Sequence, residues 1–456
     1  KLNERINYLM NNELQYAGEY NLLECKLTTS GGVTIDLAKS NQILEINFNE
    51  DIFTSSIGGN IVIVDTHNLI TELPIIGQEL LSLKLQTPGF TEKRSSLDFT
   101  GGRELAIFKI GVRAELSQGS QVYELRFASQ ELLRNLRVRV SKSYTKDLSD
   151  IVEDIMTSDK YIGTMKDLYI EPTQGVRKIV APNTTPYGLI QDLLKQSVSS
   201  EGLPHYLFYE NADGFHFRSI QDLYKEAPIK TFHFSENLPE TGKHQEPAII
   251  DLTRILNYEL QGTNDMIINT TSGMLGSTSI AHDIYSKNYV TKTYGYFEEF
   301  DTNTRVSESS NPRYSESTDL NGKTVGNYPD ARIMLHPIST KETVDANHMK
   351  YAPSKLKDYS STKNSRILEL TTGIVMTMTI PGNTALRVGN VIELDIPLVG
   401  VDHSNKKIDR FYNGNFLIKG LRHHFMQSTK THLTHMSVVK DSVEESIPTA
   451  ESQALY

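Results

Sequence analysis

His423, His424, His432 and His435 crowd together late in the chain, and imidazole nitrogens at such density could in principle bind zinc. The flanking letters, GNFLIKGLRHHFM and THLTHMSVVK, alternate as strands do. On a strand His432 and His435 point to opposite faces, which spoils a shared coordination sphere. These histidines are therefore read as a sheet surface or a subunit contact, and no metal ligand is assigned. Gly322-Lys323-Thr324 looks like the end of a phosphate-binding loop, yet Ser317 stands where that loop needs its first glycine. The surrounding stretch is polar loop, not strand-to-helix, so the match is read as chance. Carboxylates are plentiful enough to hide a glycosidase pair, but such a pair is defined by separation in space, and the letters single out none. H-E-x-x-H, G-x-S-x-G and G-x-G-x-x-G do not occur. No catalytic residue, cofactor site or metal site is assigned from the sequence.

Cys25 is the only cysteine, which excludes an internal disulfide framework and a thiolate metal cluster. It is expected to be a small buried core residue, in a chain that folds in a reducing cytosol. Asn183-Thr184-Thr185 and Asn269-Thr270-Thr271 match glycosylation sequons, which mean little without a secretory route. The 46 Lys+Arg against 56 Asp+Glu give −10 at pH 7, which argues against a specific nucleic-acid grip. No run approaches the roughly 20 apolar residues of a membrane span. The start, KLNERINYLMNNEL, lacks the apolar stretch of a secretory signal and an initiator Met, so it is expected to begin inside or after processing of a longer product.

The elements that carry these residues are mostly strands. At 456 residues the chain should hold roughly three or four domains. Residues 1–110 alternate as short strands, with NQILEINFNE and the apolar runs Ile61–Val64 and Leu80–Leu85. Residues 111–202 add helices. Ser129 can cap one carrying Leu132, Leu133 and Leu136, and LSDIVEDIM aligns Leu148, Ile151, Val152 and Ile155. Thr185 and Pro186 open a third, which Gly202 is expected to end. LPHYLFYENADGFHFRS then reads as a hairpin over Asp213-Gly214, with Tyr206, Phe208, Phe215 and Phe217 on one aromatic face. Residues 264–365 read as a polar insertion of long loops with a few strands. Strand character returns from Arg366 to residue 440, and 441–456 reads as a tail that leaves the last sheet to dock on a partner.

Four stretches resemble the central baseplate hub proteins of contractile-tailed bacteriophages of the T-even and cyanophage type. They are NLITELPIIGQELLSLKLQTPG, the helix and hairpin TPYGLIQDLLKQSVSSEGLPHYLFYENADGFHFRSI, GMLGSTSIAHDIYSKNYVTKTYGYFEEF, and the closing LRVGNVIELDIP with GNFLIKGLRHHF and LTHMSVVKDS. Each is a loose pattern, and together they span most of the chain. The resemblance implies a mainly β fold with α+β parts. It comprises two tube-like antiparallel β-barrel domains, a mixed α/β domain and a polar insertion. The expected segments are 1–110 for the first barrel, 111–202 for the mixed domain, and 203–263 with 366–440 for the second barrel. The insertion is 264–365 and the tail 441–456.

The implied role is non-enzymatic: a homotrimer adapting a hexameric tail tube to a trimeric central spike around the DNA exit channel, in a virion assembled in the host cytoplasm. Implied partners are the tail tube protein, the central spike or tail lysozyme protein, and baseplate wedge proteins, with no membrane span. The competing readings are a tail-associated cell-wall hydrolase and a carbohydrate-binding adhesin. The absence of Trp, a favoured sugar-stacking residue, weakens the last.

Overall fold

A computed structural model describes residues 14–66, 68–72, 75–90, 95–117, 119–234, 251–261, 265–283, 287–307, 313–319, 321–338, 356–397 and 411–443. The chain is mainly β. Its first unit holds β1 (Asn21–Thr28), β2 (Ile43–Asp51), β3 (Gly58–Asp65), β4 (Leu80–Gln86), β5 (Leu105–Ser117) and β6 (Ser120–Ser129). In space they run β2-β3-β6-β5-β4-β1, every neighbouring pair antiparallel. Period-two alternation puts Ile46, Phe48, Ile61, Ile63, Leu83, Leu125 and Phe127 into one core, where Cys25 is also buried.

A mixed layer follows, with α1 (Gln130–Arg137), α2 (Leu148–Thr157), β7 (Asp167–Ile170), α3 (Pro186–Leu194), β8 (Tyr206–Asn211) and β9 (Gly214–Ser219). The apolar stripe of α2, Leu148, Ile151, Val152 and Ile155, is buried as its spacing requires. Thr185 caps α3, its hydroxyl accepting from the Gly188 N–H at 3.2 Å. α3 stops at Leu194, well before Gly202. Past that point Ser199 bridges Thr173, and the Gln174 N–H donates to the Val198 carbonyl at 2.8 Å, so the chain is committed to tertiary pairing. Ser129 stands at the α1 N-cap, but its hydroxyl donates to buried Glu210 at 2.5 Å instead of capping.

The aromatic hairpin is the main correction to the expected layout. β8 and β9 pair with each other, and β9 pairs in parallel with β7, in a separate three-stranded sheet. Tyr206, Phe208, Phe215 and Phe217 are core residues, but of the mixed layer, packed with Tyr187, Ile190 and the α2 stripe. Gly214 is needed there for close approach: a Cβ would lie 2.1 Å from the Asp167 carbonyl oxygen across the β7 contact. Buried Lys166 ties this layer to the first unit. Its ammonium bonds Glu131 at 2.9 Å and Glu210 at 2.6 Å, and Glu210 also accepts from the Ile57 N–H at 3.0 Å.

The second unit begins with β10 (Thr231–Phe234) and β11 (Asn257–Gln261). An insertion then supplies β12 (Gly276–Asp283), β13 (Asn288–Gly295), β14 (Ile333–Ile338) and α4 (Leu356–Thr372), its strands forming their own sheet in the order β13-β12-β14. The second unit resumes with β15 (Ile374–Pro381), β16 (Val391–Asp395), β17 (Gly414–Met426) and β18 (Thr431–Lys440). Its strands run β11-β15-β18-β17-β16-β10, antiparallel apart from the parallel β10–β16 contact. Arg254–Ile255, just ahead of β11, pairs with β10, so this segment touches both ends of the run.

Arg366–Thr372, expected as strand, is the end of α4. The face that α4 buries is Ser361, Thr362, Ser365, Arg366, Glu369 and Leu370, helical in spacing but mostly polar. Its charges are neutralised in a cluster. Arg366 bonds Glu369 at 2.6 Å and Asp441 at 2.7 Å, and Arg305 bonds Glu369 at 2.8 Å. Asp441, Ser442 and Val443 are therefore buried, and the expected tail does not leave the fold at Lys440. Its remainder, 444–456, lies outside the described residues.

Candidate functional site: a polar face shared by two β-units

The two β-units share one strand order, although β1 meets β4 antiparallel and β10 meets β16 parallel. Taken in chain order, β1, β2, β3, β4, β5 and β6 correspond to β10, β11, β15, β16, β17 and β18, and the order in space is the same. The closing hairpins match in part. β5 and β17 each have 13 residues, and β6 and β18 each have 10. Both hairpins slip register at one equivalent place, at Phe108 between Ile107 and Lys109 and at Lys419 between Ile418 and Gly420, and β5–β6 slips twice more, between Ile110 and Arg113 and between Glu115 and Ser117. That alignment makes Arg126 the counterpart of Ser437, Asn60 of Thr377, and Asn47 of Glu259.

The units join edge to edge. The outer half of β17 pairs with β2, Gly420 opposite Asp51 through Met426 opposite Glu45, so the sheet passes from one unit into the other. Residues opposite one another in a ladder share a face. One row therefore reads Asn257, Thr379, His435, Arg422, Asn49. Its neighbour reads His424, Asn47, Asn60, Arg126, Lys109. This face is mostly polar, interrupted by Val62 and Leu433, while the opposite face is the core of both units. It is concave, with a groove of about 530 Å³ over β11, β15, β18, β17 and the end of β2. A second groove, of about 550 Å³, lies over β2, β3, β5 and β6, and Asn49–Asp51 form the wall between them.

Side chains brace the face across the junction. The Arg422 guanidinium donates to the Asn47 amide oxygen at 2.7 and 3.1 Å, and His424 lies 3.1 Å from the Glu45 carboxylate. His435 meets the Thr379 hydroxyl at 2.9 Å, and burial, aided by Arg422 and His424, holds its imidazole below the usual range. Both charge signs are interleaved, with Glu45, Glu124 and Glu259 among Arg126, Arg422 and Lys109. Such a surface neither grips nor strongly repels a polyanion.

The four histidines of the sequence do not form one site. His424 and His435 lie on the polar face with ring centroids 6.3 Å apart. His423 and His432 point inward, where His423 Nδ1 lies 3.0 Å from His432 Nε2 against Phe48 and Phe425. Among the described residues, no group of three His, Cys, Asp or Glu could hold a metal ion. Gly322-Lys323 sits in a tight turn closed by the Gly322 N–H to the Asp319 carbonyl, with no strand leading in. Asn269 is buried with its amide on the Tyr314 hydroxyl at 2.7 Å, whereas Asn183 is exposed. No described helix is long and apolar enough to cross a membrane. Sequence reading missed the shared face because it is spread over two units with unlike letters. The matching hairpin lengths were the available signal.

No family model matches the chain, and no curated protein matches its sequence. Among solved structures, the tail protein of Neisseria meningitidis is similar, with a TM-score of 0.52 at 11% identity over 93% of this chain and 98% of that one. A 43 kDa tail protein of prophage MuSo2 from Shewanella oneidensis gives a TM-score of 0.48 at 10% identity, over 92% and 99% of the two chains. A type VI secretion system component of E. coli gives 0.40 at 11% identity, over 90% and 76%. The Neisseria match shows the fold: this chain shares, over almost its whole length, the fold of that tail protein.

Proposed function

We propose that this chain is the structural hub of a phage tail baseplate. Three copies form a ring whose six β-units meet the hexameric tail tube on one side and the trimeric central spike on the other, enclosing the channel through which DNA leaves. The observation that carries the reading is the presence of two units of identical strand order in one chain, joined so that their polar faces are continuous. A hexameric tube cannot meet a trimeric spike through identical contacts unless an adapter repeats its docking surface twice, and this chain holds that surface twice. The mixed-sign lining suits passage of a polyanion without adhesion. The role is architectural, not catalytic, with the tail tube protein, the spike or tail lysozyme protein and wedge proteins as partners in the virion tail.

Sedimentation of the full chain, alone and with the tail tube and spike proteins of the same virion, tests this. A stable trimer that binds both is the expected result. A monomer or dimer at tens of micromolar, or a trimer that clears peptidoglycan in a zymogram, overturns it.

A further inference from the structure

Lys166, Glu131 and Glu210 meet in the mixed layer, their side chains only 1%, 4% and 0% exposed. Each comes from a different element: Lys166 from the loop ahead of β7, Glu131 from the first turn of α1, and Glu210 from β8. The surroundings are aromatic. Tyr187, Phe208 and Phe215 line the same core, and the Lys166 ammonium lies 5.6 Å from the centre of the Phe215 ring. Taking an ammonium and a carboxylate out of water is costly, and their mutual attraction offsets that cost only in part. An amide made from the two groups carries no charge, so the same pocket favours it over the ion pair.

The two oxygens of Glu210 have different neighbours. Oε1 lies 2.6 Å from Lys166 Nζ. Oε2 accepts from the Ser129 hydroxyl at 2.5 Å and from the Ile57 N–H at 3.0 Å. An amine beside one oxygen, with two donors on the other, is the layout that stabilises the tetrahedral intermediate of acyl transfer. The second carboxylate is placed to move protons. Glu131 Oε2 lies 2.9 Å from the same Nζ, and its Oε1 accepts from the Thr164 hydroxyl at 2.7 Å.

We propose that Lys166 and Glu210 condense into an intramolecular isopeptide bond, with Glu131 carrying the protons. The two carboxylates hold the ammonium charged, so the step opens with transfer of a proton from Nζ to Glu131. Glu131 passes it to Glu210 Oε1, which burial favours, since a neutral carboxyl is easier to keep out of water. The neutral amine then attacks Glu210 Cδ, and the negative charge that develops on Oε2 rests on Ser129 and Ile57. The Nζ–Cδ bond forms and the Cδ–Oε1 bond breaks. Oε1 leaves as water, its second proton also coming from Nζ through Glu131. One ammonium and one carboxylate become one amide and one water, nothing is oxidised or reduced, and Glu131 ends as a carboxylate. The bond fastens the loop ahead of β7 to β8. It is independent of the ring reading, because all three side chains belong to one chain.

Intact mass spectrometry of the folded full chain, followed by peptide mapping, tests this. The wild type is expected to weigh one water less than its sequence, with the peptides holding Lys166 and Glu210 recovered as one branched species. Lys166→Arg keeps the positive charge without the primary amine, and is expected to show the full sequence mass. Glu131→Gln keeps the shape but takes no proton, and is expected to slow bond formation by roughly a hundredfold. A wild type that still has the full sequence mass after overnight incubation overturns the proposal. So does a water lost elsewhere, as at Asp213-Gly214, with Lys166 and Glu210 on separate linear peptides. A Glu131→Gln chain that cross-links as fast as wild type overturns the part given to Glu131.

Discussion

The first and second β-units solve one folding problem with different amounts of chain. In the first, β2 passes to β3 through a loop of residues 52–57, and Ile52 and Ile57 are both buried. In the second, the equivalent step from β11 to β15 passes through residues 262–373, which include three strands and α4. A hairpin turn tolerates such an insertion because it enters and leaves at adjacent strand ends, so loop-closure entropy grows only slowly with length. What the longer route needs is an anchor. The buried cluster of Arg305, Arg366, Glu369 and Asp441 is that anchor, tying the insertion, α4 and the end of β18 together.

The largest expected effect comes from breaking the anchor. Glu369→Ala leaves two buried guanidinium groups sharing one carboxylate, and removing one partner of a buried ion cluster costs roughly 3–5 kcal/mol. The short loop of the first unit also meets a buried ion cluster, Lys166 with Glu131 and Glu210, but through backbone groups of Thr54 and Ile57 instead of charges of its own. Denaturant unfolding of the full chain, with limited proteolysis to show where cleavage starts, measures it. A loss below about 1 kcal/mol would mean that the insertion is held by something else.

This anchor also marks where the sequence stopped being readable. The strands of the first unit and the stripe of α2 were legible because their buried positions are apolar at period 2 or 3.6. α4 was not, because its buried face is serine, threonine, arginine and glutamate, and Ile367 with Leu368 mimicked a strand. The hairpin 206–219 was legible as a hairpin with an aromatic core face. Its address was not, since the choice between the second unit and β7 depends on a parallel contact from the distant residues 167–170. The split of the histidines into two facing pairs followed from alternation, whereas the burial of His423 and His432 depended on which unit lay beneath them. The shared polar face had no signature in the letters, because equivalent positions carry unlike residues, such as Asn60 and Thr377.

A smaller effect tests that equivalence at a single site. Gly59 lies opposite Phe127 in the first unit, and its counterpart Met376 lies opposite Val438 in the second. The pairs exchange volume across the ladder: a Cβ on Gly59 would lie 2.5 Å from the Phe127 ring and 2.0 Å from the Asn47 carbonyl oxygen. Gly59→Ala is expected to cost about 1–3 kcal/mol through overpacking. Phe127→Val opens a cavity and costs about 2 kcal/mol. The double variant Gly59→Met with Phe127→Val reproduces the second unit's pair, and its cost should fall below the sum of the Gly59→Met and Phe127→Val costs by about 1 kcal/mol or more. Strict additivity in thermal or denaturant unfolding would show that the two units do not pack alike, whatever their topology.

The smallest effect concerns the far ends of the two long hairpins, where the units differ most. In β17 and β18 these ends carry His423, buried against Phe48 of the first unit, and His432, buried against Phe425, whereas the counterparts on β5 and β6 are Arg113, which is exposed, and Gln121, to which it donates at 2.6 Å. Burial, with Arg387 adding, pushes the His423 imidazole down to about 3, and burial with the neighbouring histidines holds His432 well below its usual range. The folded chain thus keeps both neutral while the unfolded chain binds protons near pH 6.5, so stability is complete above that pH and lost as pH falls. Glu50 acts in the opposite sense. Burial pushes its carboxyl up to about 7, although it accepts from the Ala212 and Val388 N–H groups at 2.7 and 2.9 Å, so the stability it contributes grows as pH falls from about 7 towards the ordinary carboxylate range. Each group changes the slope by roughly 1 kcal/mol per pH unit. Urea unfolding from pH 7 to pH 5 should show a shallower acid loss for His423→Asn than for wild type, and a steeper one for Glu50→Gln. Parallel curves for His423→Asn would mean that this hairpin end is as open to water as its counterpart in the first unit.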